Sequence, residues 1–123
     1  MGASLYERIG GESAIMAAVS LFYAKVVADK RTKPFFTRLN MAAQTRKQIA
    51  FMTWAFGGPS EYKGRDLREA HADLVSTGGL SDAHFEAVEG HLRATLEELG
   101  LTEDLVVEAM AIVGRTRSEV LGR

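Results

Sequence analysis

The chain has 123 residues, of which 46% are hydrophobic and 25% charged, so it can form one globular domain with a single core. The formal net charge of −1 gives no sign of a nucleic-acid partner, and the lack of cysteine excludes disulfides, zinc–thiolate sites, iron–sulfur clusters and thiol catalysis. No apolar run approaches the roughly 20 residues of a bilayer span and no signal peptide is visible, so we expect one domain over residues 1–123, in the cytoplasm and without a membrane partner.

The first part of the chain predicts two helices. The first spans about Ser4 to Ile9 and ends at Gly10 and Gly11, because glycine accepts the left-handed backbone of a helix end. The second runs from about Glu12 to Ala28, where apolar residues recur at spacings of three and four, the period of one helix face. The residues of this stripe are Ile15, Val19, Phe22 and Val26.

Two further helices follow a short segment that has Pro34 near its start and carries Phe35 and Phe36. The third helix begins near the N-cap Asn40 and runs to Phe56, where two glycines and a proline stop it. After a polar loop over residues 60–65, Asp66 caps a short helix that ends at Thr77, Gly78 and Gly79. Its apolar side carries Leu67, His71 and Leu74.

The chain closes with two more predicted helices. Ser81 opens a long helix that ends at Leu99, and Thr102 caps the last one, which runs through Val120. The inward faces consist of Phe85, Val88, Leu92 and Leu96 on the long helix, and of Leu105, Ala109, Met110, Val113 and Val120 on the last. Since strand signals are weak throughout, the sequence predicts an all-α fold.

Two glutamines extend the inner stripe of the third helix. This stripe contains Phe51, and three or four residues back lie Gln48 and then Gln44. A buried amide must be hydrogen-bonded or it costs about 1–3 kcal/mol, so two of them on an inner face would indicate a polar interior site. The alternative is that the inner face ends at Phe51 and both glutamines are solvated.

Tyr23 and His71 also carry polar groups on apolar helix faces. Each has a simple structural explanation, since a core tyrosine can place its hydroxyl at the surface and a lone core histidine is usually just hydrogen-bonded. His84 and His91 lie seven residues apart on the long helix and are too far apart to chelate one ion. No phosphate-binding loop and no serine nucleophile elbow is present.

Taken in order along the chain, the motifs resemble the group I truncated hemoglobins over essentially the whole length. The resemblance rests on the glycine pair after the first helix, Phe22-Tyr23, Phe35-Phe36, Gln44 and Gln48, Phe56-Gly57-Gly58-Pro59, Tyr62-Lys63-Gly64-Arg65, Leu67 to His71, and Asp82 to Phe85. It implies a globin-like two-over-two helical sandwich that holds a non-covalent heme b.

The resemblance also assigns roles to individual residues. His71 matches the proximal iron ligand, and Tyr23, Gln44 and Gln48 match distal donors to a bound ligand. Phe36 matches the residue that packs against the heme ring. Other heme- or tunnel-lining positions are matched by Phe22, Phe51, Leu67, Phe85, Val88 and Val113.

At two positions the residue type varies among the truncated hemoglobins that this sequence resembles. Lys47 falls where some carry a sixth iron ligand, so it either binds the ferric iron after losing its proton or pairs with a heme propionate or solvent. Some relatives attach the heme through a histidine in the last helix. This sequence places Thr116 there and has no histidine after His91, so we expect heme that acid and organic solvent extract.

The resemblance implies reversible binding of O2, and of NO and CO, because donors placed at a partly negative ligand stabilise it. The alternative is an NO dioxygenase, which needs an external reductase because the chain contains no flavin or nicotinamide domain. A helical interaction module without heme is a third hypothesis. We expect a monomer or a weak dimer.

Overall fold

The computed structural model describes residues 3–37, 39–76 and 78–122, and within them every regular element is helical. The all-α prediction is therefore confirmed. The elements, in chain order, are α1 (Leu5–Ile9), α2 (Gly11–Ala28), a 3₁₀ turn (Lys33–Phe35), α3 (Met41–Ala55), α4 (Gly64–Ser76), α5 (Asp82–Glu98), α6 (Glu103–Gly114) and α7 (Arg117–Leu121).

Helix α2 lies at the centre of the fold and packs against α1, α3 and α5. Its predicted stripe is buried: Ile15, Val19 and Val26 have no exposed surface, and Phe22 has 3%. Among the described residues α2 is also the one helix whose 18 residues and mean hydropathy of 1.3 would suit a membrane span, which the sequence analysis did not anticipate. Its packing on three helices is that of a core helix.

Side-chain caps fix the starts of three helices, and the sequence predicts two of these caps, at Asn40 and Thr102. The Ser4 hydroxyl accepts a hydrogen bond from the Glu7 amide at 3.1 Å, and the Asn40 side chain accepts one from the Ala43 amide at 3.1 Å. The Thr102 hydroxyl accepts one from the amide three residues later, at 3.4 Å. Each cap satisfies an amide that lacks a partner within its helix.

Two predicted boundaries were wrong. Helix α4 begins at Gly64, and Asp66 lies in its first turn, where its carboxylate accepts a hydrogen bond from the Lys63 amide at 2.8 Å. Thr77, predicted to help end this helix, lies outside the described residues. The last helix was predicted as one element but consists of two, α6 and α7. At their junction the Thr116 hydroxyl donates a hydrogen bond to the Val113 carbonyl at 2.6 Å. Such a side-chain bond to the backbone competes with continuation of the helix.

The short helix α1 is fastened to the end of α3. The Tyr6 amide donates to the Phe56 carbonyl at 2.8 Å, and the Tyr6 ring lies directly over Gly58. A Cβ at Gly58 would lie 2.6 Å from Cγ of that ring, so this position requires a residue without a side chain.

We therefore expect Gly58→Ala to destabilise the protein by about 1–3 kcal/mol, the usual cost of overpacking. Chemical denaturation measures the change. Gly90→Ala is the matched control, because a Cβ there meets no atom within 4 Å and the position is helical. That variant should gain about 0.5–1 kcal/mol. Equal stabilities of the two variants would contradict the packing argument.

Candidate functional site

His71 lies on α4, one turn after Leu67, and its ring is oriented by that turn. Its Nδ1 atom is 2.8 Å from the Leu67 carbonyl oxygen. A carbonyl can only accept a hydrogen bond, so Nδ1 carries the proton and Nε2 carries the free lone pair. Orientation of a ligating imidazole by a bond at its other nitrogen is the usual arrangement at metal sites.

The surroundings of His71 favour its neutral form. Burial lowers the pKa of His71, and the hydrogen bond to the Leu67 carbonyl only partly opposes this effect. A neutral imidazole is the form that binds a metal. The geometry and the protonation state thus both prepare Nε2 to act as a ligand.

The apolar side of α4 is only partly covered by protein. Leu67 is 4% exposed, whereas Leu74, Val75 and His71 are half-buried. Within the described residues α4 packs mainly against α7 and makes almost no direct contact with α3. The apolar half-covered face with a free imidazole nitrogen fits a flat, apolar, iron-containing group such as heme.

Arg117 fastens α7, the support of α4, to the long helix α5. Its guanidinium lies over the Phe85 ring at 5.0 Å from the centroid. It also donates to Asp82 at 3.1 Å and to Glu89 at 3.3 Å. The sequence does not indicate this role of Arg117, because the spacing between positions 82, 89 and 117 carries no local signal.

Tyr23 lies on the buried face of α2, opposite the start of α3. Its hydroxyl donates to the main-chain carbonyl of Gln44 at 3.4 Å, not to the side-chain amide. Its ring contacts Phe22 at 5.4 Å and Phe36 at 5.7 Å between centroids. Burial raises the pKa of Tyr23 to about 12, and the bond to Gln44 opposes that effect, so the phenol stays protonated and able to donate.

Gln44 and Gln48 lie one turn apart on α3 and are both half-buried. Neither expectation for them holds in full, since they are neither core residues nor fully solvated. Among the described residues neither side-chain amide has a hydrogen-bond partner. Lys47, between them, is exposed and forms no ion pair within the described part of the chain. Two half-buried amides with unused donors therefore lie on the helix whose Gln44 carbonyl accepts a hydrogen bond from the Tyr23 hydroxyl.

The remaining predicted lining residues differ in how much of their surface is exposed. Phe22, Phe51, Leu67, Phe85 and Val113 are buried at 3–8% exposure. Phe36 and Val88 are half-buried and pack against the same core. Phe51 also belongs to an aromatic cluster with Trp54 and Tyr62, at 6.1 and 5.6 Å between ring centroids, which the sequence analysis did not identify.

His91 lies away from this site and has a structural partner. Its Nε2 atom is 2.7 Å from the Asp29 carboxylate, which also binds the Arg31 guanidinium at 2.7 Å. The hydrogen bonds from Arg31, followed by that from His91, lower the pKa of Asp29. His84 has a capping role, because its Nδ1 accepts a hydrogen bond from the Ser81 amide at 3.1 Å. Both side chains thus have structural partners, and the sequence predicts a ligand role for neither.

Comparison with known proteins gives a consistent result over almost the whole chain. A model of the family described as bacterial-like globin matches residues 4–121. The group 1 truncated hemoglobin GlbN of Synechocystis is 49% identical and covers 90% of each chain. That of Tetrahymena pyriformis is 44% identical over 98% of this chain and 96% of its own.

Solved structures agree. The 2/2 hemoglobin of Synechococcus, in the cyanomet state and with covalently attached heme, matches with a TM-score of 0.93 and 48% identity over 98% of this chain and all of that one. The truncated hemoglobin of Tetrahymena pyriformis in its Fe(III) form matches with a TM-score of 0.87 and 44% identity over the same 98% of this chain and all of its own. The two-over-two fold is thereby confirmed.

Proposed function

The chain belongs to the bacterial-like globin family, among the group 1 truncated hemoglobins, and we propose that it binds O2 reversibly at a heme b iron held by His71. It is a heme-binding globin, and gas binding is the activity of its family. The observation that carries the role of His71 is its hydrogen bond to the Leu67 carbonyl. This bond leaves Nε2 unprotonated on an apolar face that protein covers only in part.

Heme would supply the iron at which the gas binds, and the residues on the α2–α3 side would stabilise that ligand. The Tyr23 hydroxyl is protonated and lies in a largely buried site, where a donated hydrogen bond to a partly negative ligand is stronger than in water. The amides of Gln44 and Gln48 add donors from one helix face. Phe36, Phe51 and Val88 would exclude water.

Solved variants of the Tetrahymena pyriformis protein support this assignment. In one a tyrosine is replaced by phenylalanine, and in two others a glutamine is replaced by glutamate. The tyrosine precedes those glutamines by 21 and 25 residues, which is the spacing from Tyr23 to Gln44 and Gln48. The same three polar positions therefore occur in both chains.

The heme b is held non-covalently. This chain has no cysteine and no histidine after His91, so the last two helices offer no nucleophile of either type to a heme vinyl group. Thr116, at the position where some relatives carry a histidine, is 8% exposed and its hydroxyl is bonded to Val113. NO dioxygenation, cytoplasmic location and the monomeric or weakly dimeric state stay predictions.

Visible spectra of the purified protein test the proposal. We expect a Soret band that shifts between the ferric, ferrous and oxygenated forms. His71→Gly should lose the spectrum of a histidine-ligated heme and regain it with added imidazole, whereas His84→Gly should keep it. A wild-type protein that takes up no heme, or a His71→Gly variant with an unchanged spectrum, would contradict the assignment.

Tyr23→Phe should speed O2 dissociation at least tenfold, because it removes one donor to the bound ligand; each factor of ten corresponds to about 1.4 kcal/mol. Stopped-flow displacement of O2 measures the rate. Tyr62→Phe is the matched control, since the Tyr62 phenol also has its pKa raised to about 12 but belongs to the aromatic cluster of α3. Similar rates in Tyr23→Phe and wild type would overturn the role of Tyr23.

The exposure of Lys47 favours a propionate or solvent contact over iron ligation. We therefore expect a pH titration of the ferric spectrum to be the same in wild type and Lys47→Ala. Arg46→Ala, which removes the neighbouring exposed cation, controls for the change in charge. An alkaline low-spin form present in wild type and Arg46→Ala but absent from Lys47→Ala would show that the lysine amine binds the iron.

A further inference from the structure

Charge is strongly segregated along the chain, although the net charge is only −1. Residues 30–68 contain nine Lys or Arg and two Asp or Glu, a formal charge of +7. Residues 69–123 contain four Lys or Arg and eleven Asp or Glu, a formal charge of −7. The basic segment includes the 3₁₀ turn, α3 and the start of α4. The acidic segment includes most of α4 and all of α5, α6 and α7.

Most exposed basic side chains of this segment have no ionic partner among the described residues, although Arg31 pairs with Asp29. Arg8, Lys25, Arg93 and Arg117 each form an ion pair with a carboxylate. In contrast, five exposed cations of the basic segment form none with any described residue. The first, Lys30, follows the end of α2, and we refer to the other four as the basic rim. The basic rim consists of Lys33, Arg46, Lys47 and Lys63.

Three residues of the basic rim, Lys33, Arg46 and Lys47, belong to segments that contact Tyr23. The Phe36 amide donates a hydrogen bond to the Lys33 main-chain carbonyl at 3.0 Å, and the Phe36 ring contacts the Tyr23 ring. Arg46 and Lys47 follow Gln44 on α3, and the Gln44 carbonyl accepts a hydrogen bond from the Tyr23 hydroxyl.

The loop that carries Lys63 is joined to α3 by a hydrogen bond. The Ser60 hydroxyl donates to the Ala50 carbonyl at 2.9 Å, one turn beyond Arg46 and Lys47. The two acidic residues of the segment, Glu61 and Asp66, border a cavity beside Lys63. The uncompensated positive charge of the basic rim is therefore greatest on α3 and the 3₁₀ turn.

We propose that the basic rim is the docking surface for an acidic one-electron carrier protein that reduces the heme iron, an inference that rests on the proposed function. The step is a single electron transfer: the carrier is oxidised by one electron, the ferric iron is reduced by one, and no covalent bond forms or breaks. O2 binds ferrous iron, so ferric iron needs a one-electron reductant before it can bind the gas.

The charge distribution of the chain would both attract an acidic carrier and orient it. The basic rim attracts it, while the acidic second half of the chain repels it, so the carrier is directed to the edge of the heme site. Such steering can raise association rates by about 10–10³ and is screened beyond a Debye length of about 10 Å at 0.1 M salt. Because the rim cations are not already paired, docking breaks no ion pair within the described residues.

Charge reversal with a matched control tests the proposal. The probe is an acidic plant-type [2Fe–2S] ferredoxin, reduced beforehand and mixed with the ferric, heme-loaded protein in a stopped-flow instrument. Lys33→Glu and Arg46→Glu should each slow reduction about tenfold at low salt, and the wild-type rate should fall as salt is added. Arg115→Glu changes the net charge equally but lies at the α6–α7 junction, so its rate should stay within about twofold of wild type.

Calorimetric titration with oxidised ferredoxin gives a readout that is independent of electron transfer, and the same variants should weaken binding. Equal effects of Arg46→Glu and Arg115→Glu would overturn the proposal. So would faster heme loss from Arg46→Glu with unchanged ferredoxin binding, which would mean that the cation holds a propionate. Rim-dependent binding to phosphatidylserine vesicles but not to ferredoxin would also overturn it.

Failure of this proposal is distinguishable from failure of the proposed function. A protein with a normal Soret band that does not bind ferredoxin contradicts only the docking surface. A protein without heme contradicts the proposed function, and calorimetry on that heme-free protein still tests whether the basic rim binds the acidic carrier.

Discussion

The hydrogen bond between His71 Nδ1 and the Leu67 carbonyl is the interaction on which the proposed chemistry depends. It uses a carbonyl one turn back on the same helix, so the helix itself selects the tautomer and aims the ring. Burial keeps the imidazole neutral, which leaves its second nitrogen available as a ligand. The support continues outward, because α4 rests on α7 and Arg117 holds α7 on α5.

The other side of the site is built differently. There the donors come from two helices, with Tyr23 on α2 and two glutamines on α3, and the packing between these helices sets their relative positions. The phenol bonds a main-chain oxygen at 3.4 Å, a long contact that a stronger acceptor can replace at little cost. The proposed site thus combines one oriented imidazole with several adaptable donors, an arrangement that would suit gases of different polarity.

Much of the fold could be predicted from the sequence, because helix starts and buried stripes are local signals. The caps at Ser4, Asn40 and Thr102, and the stripe of α2, depend only on residues within one helix. The predictions that failed depend on contacts between distant residues. The break between α6 and α7 and the Arg117 contacts are of this kind.

The site residues show the same division. His71 and Tyr23 each look like ordinary core residues in the sequence, and only their combination with Phe36, Gln44 and Gln48 indicated a heme pocket. The family resemblance supplied that combination. Periodicity could not, since it places a residue on a helix face but does not say which other helix faces it. The long-range segregation of charge is also a property of the sequence, but it predicts no partner until the unpaired cations are placed on the elements around Tyr23 and along α3.

The sparse packing of α4 has a consequence for how the protein acquires its cofactor. Helix α4 packs mainly on one short neighbour, and sparsely packed parts of a fold generally open at a lower free energy than its core. Anything that binds only the closed form adds its binding free energy to the stability of that region. Cofactor uptake and local folding of α4 would therefore form one coupled equilibrium.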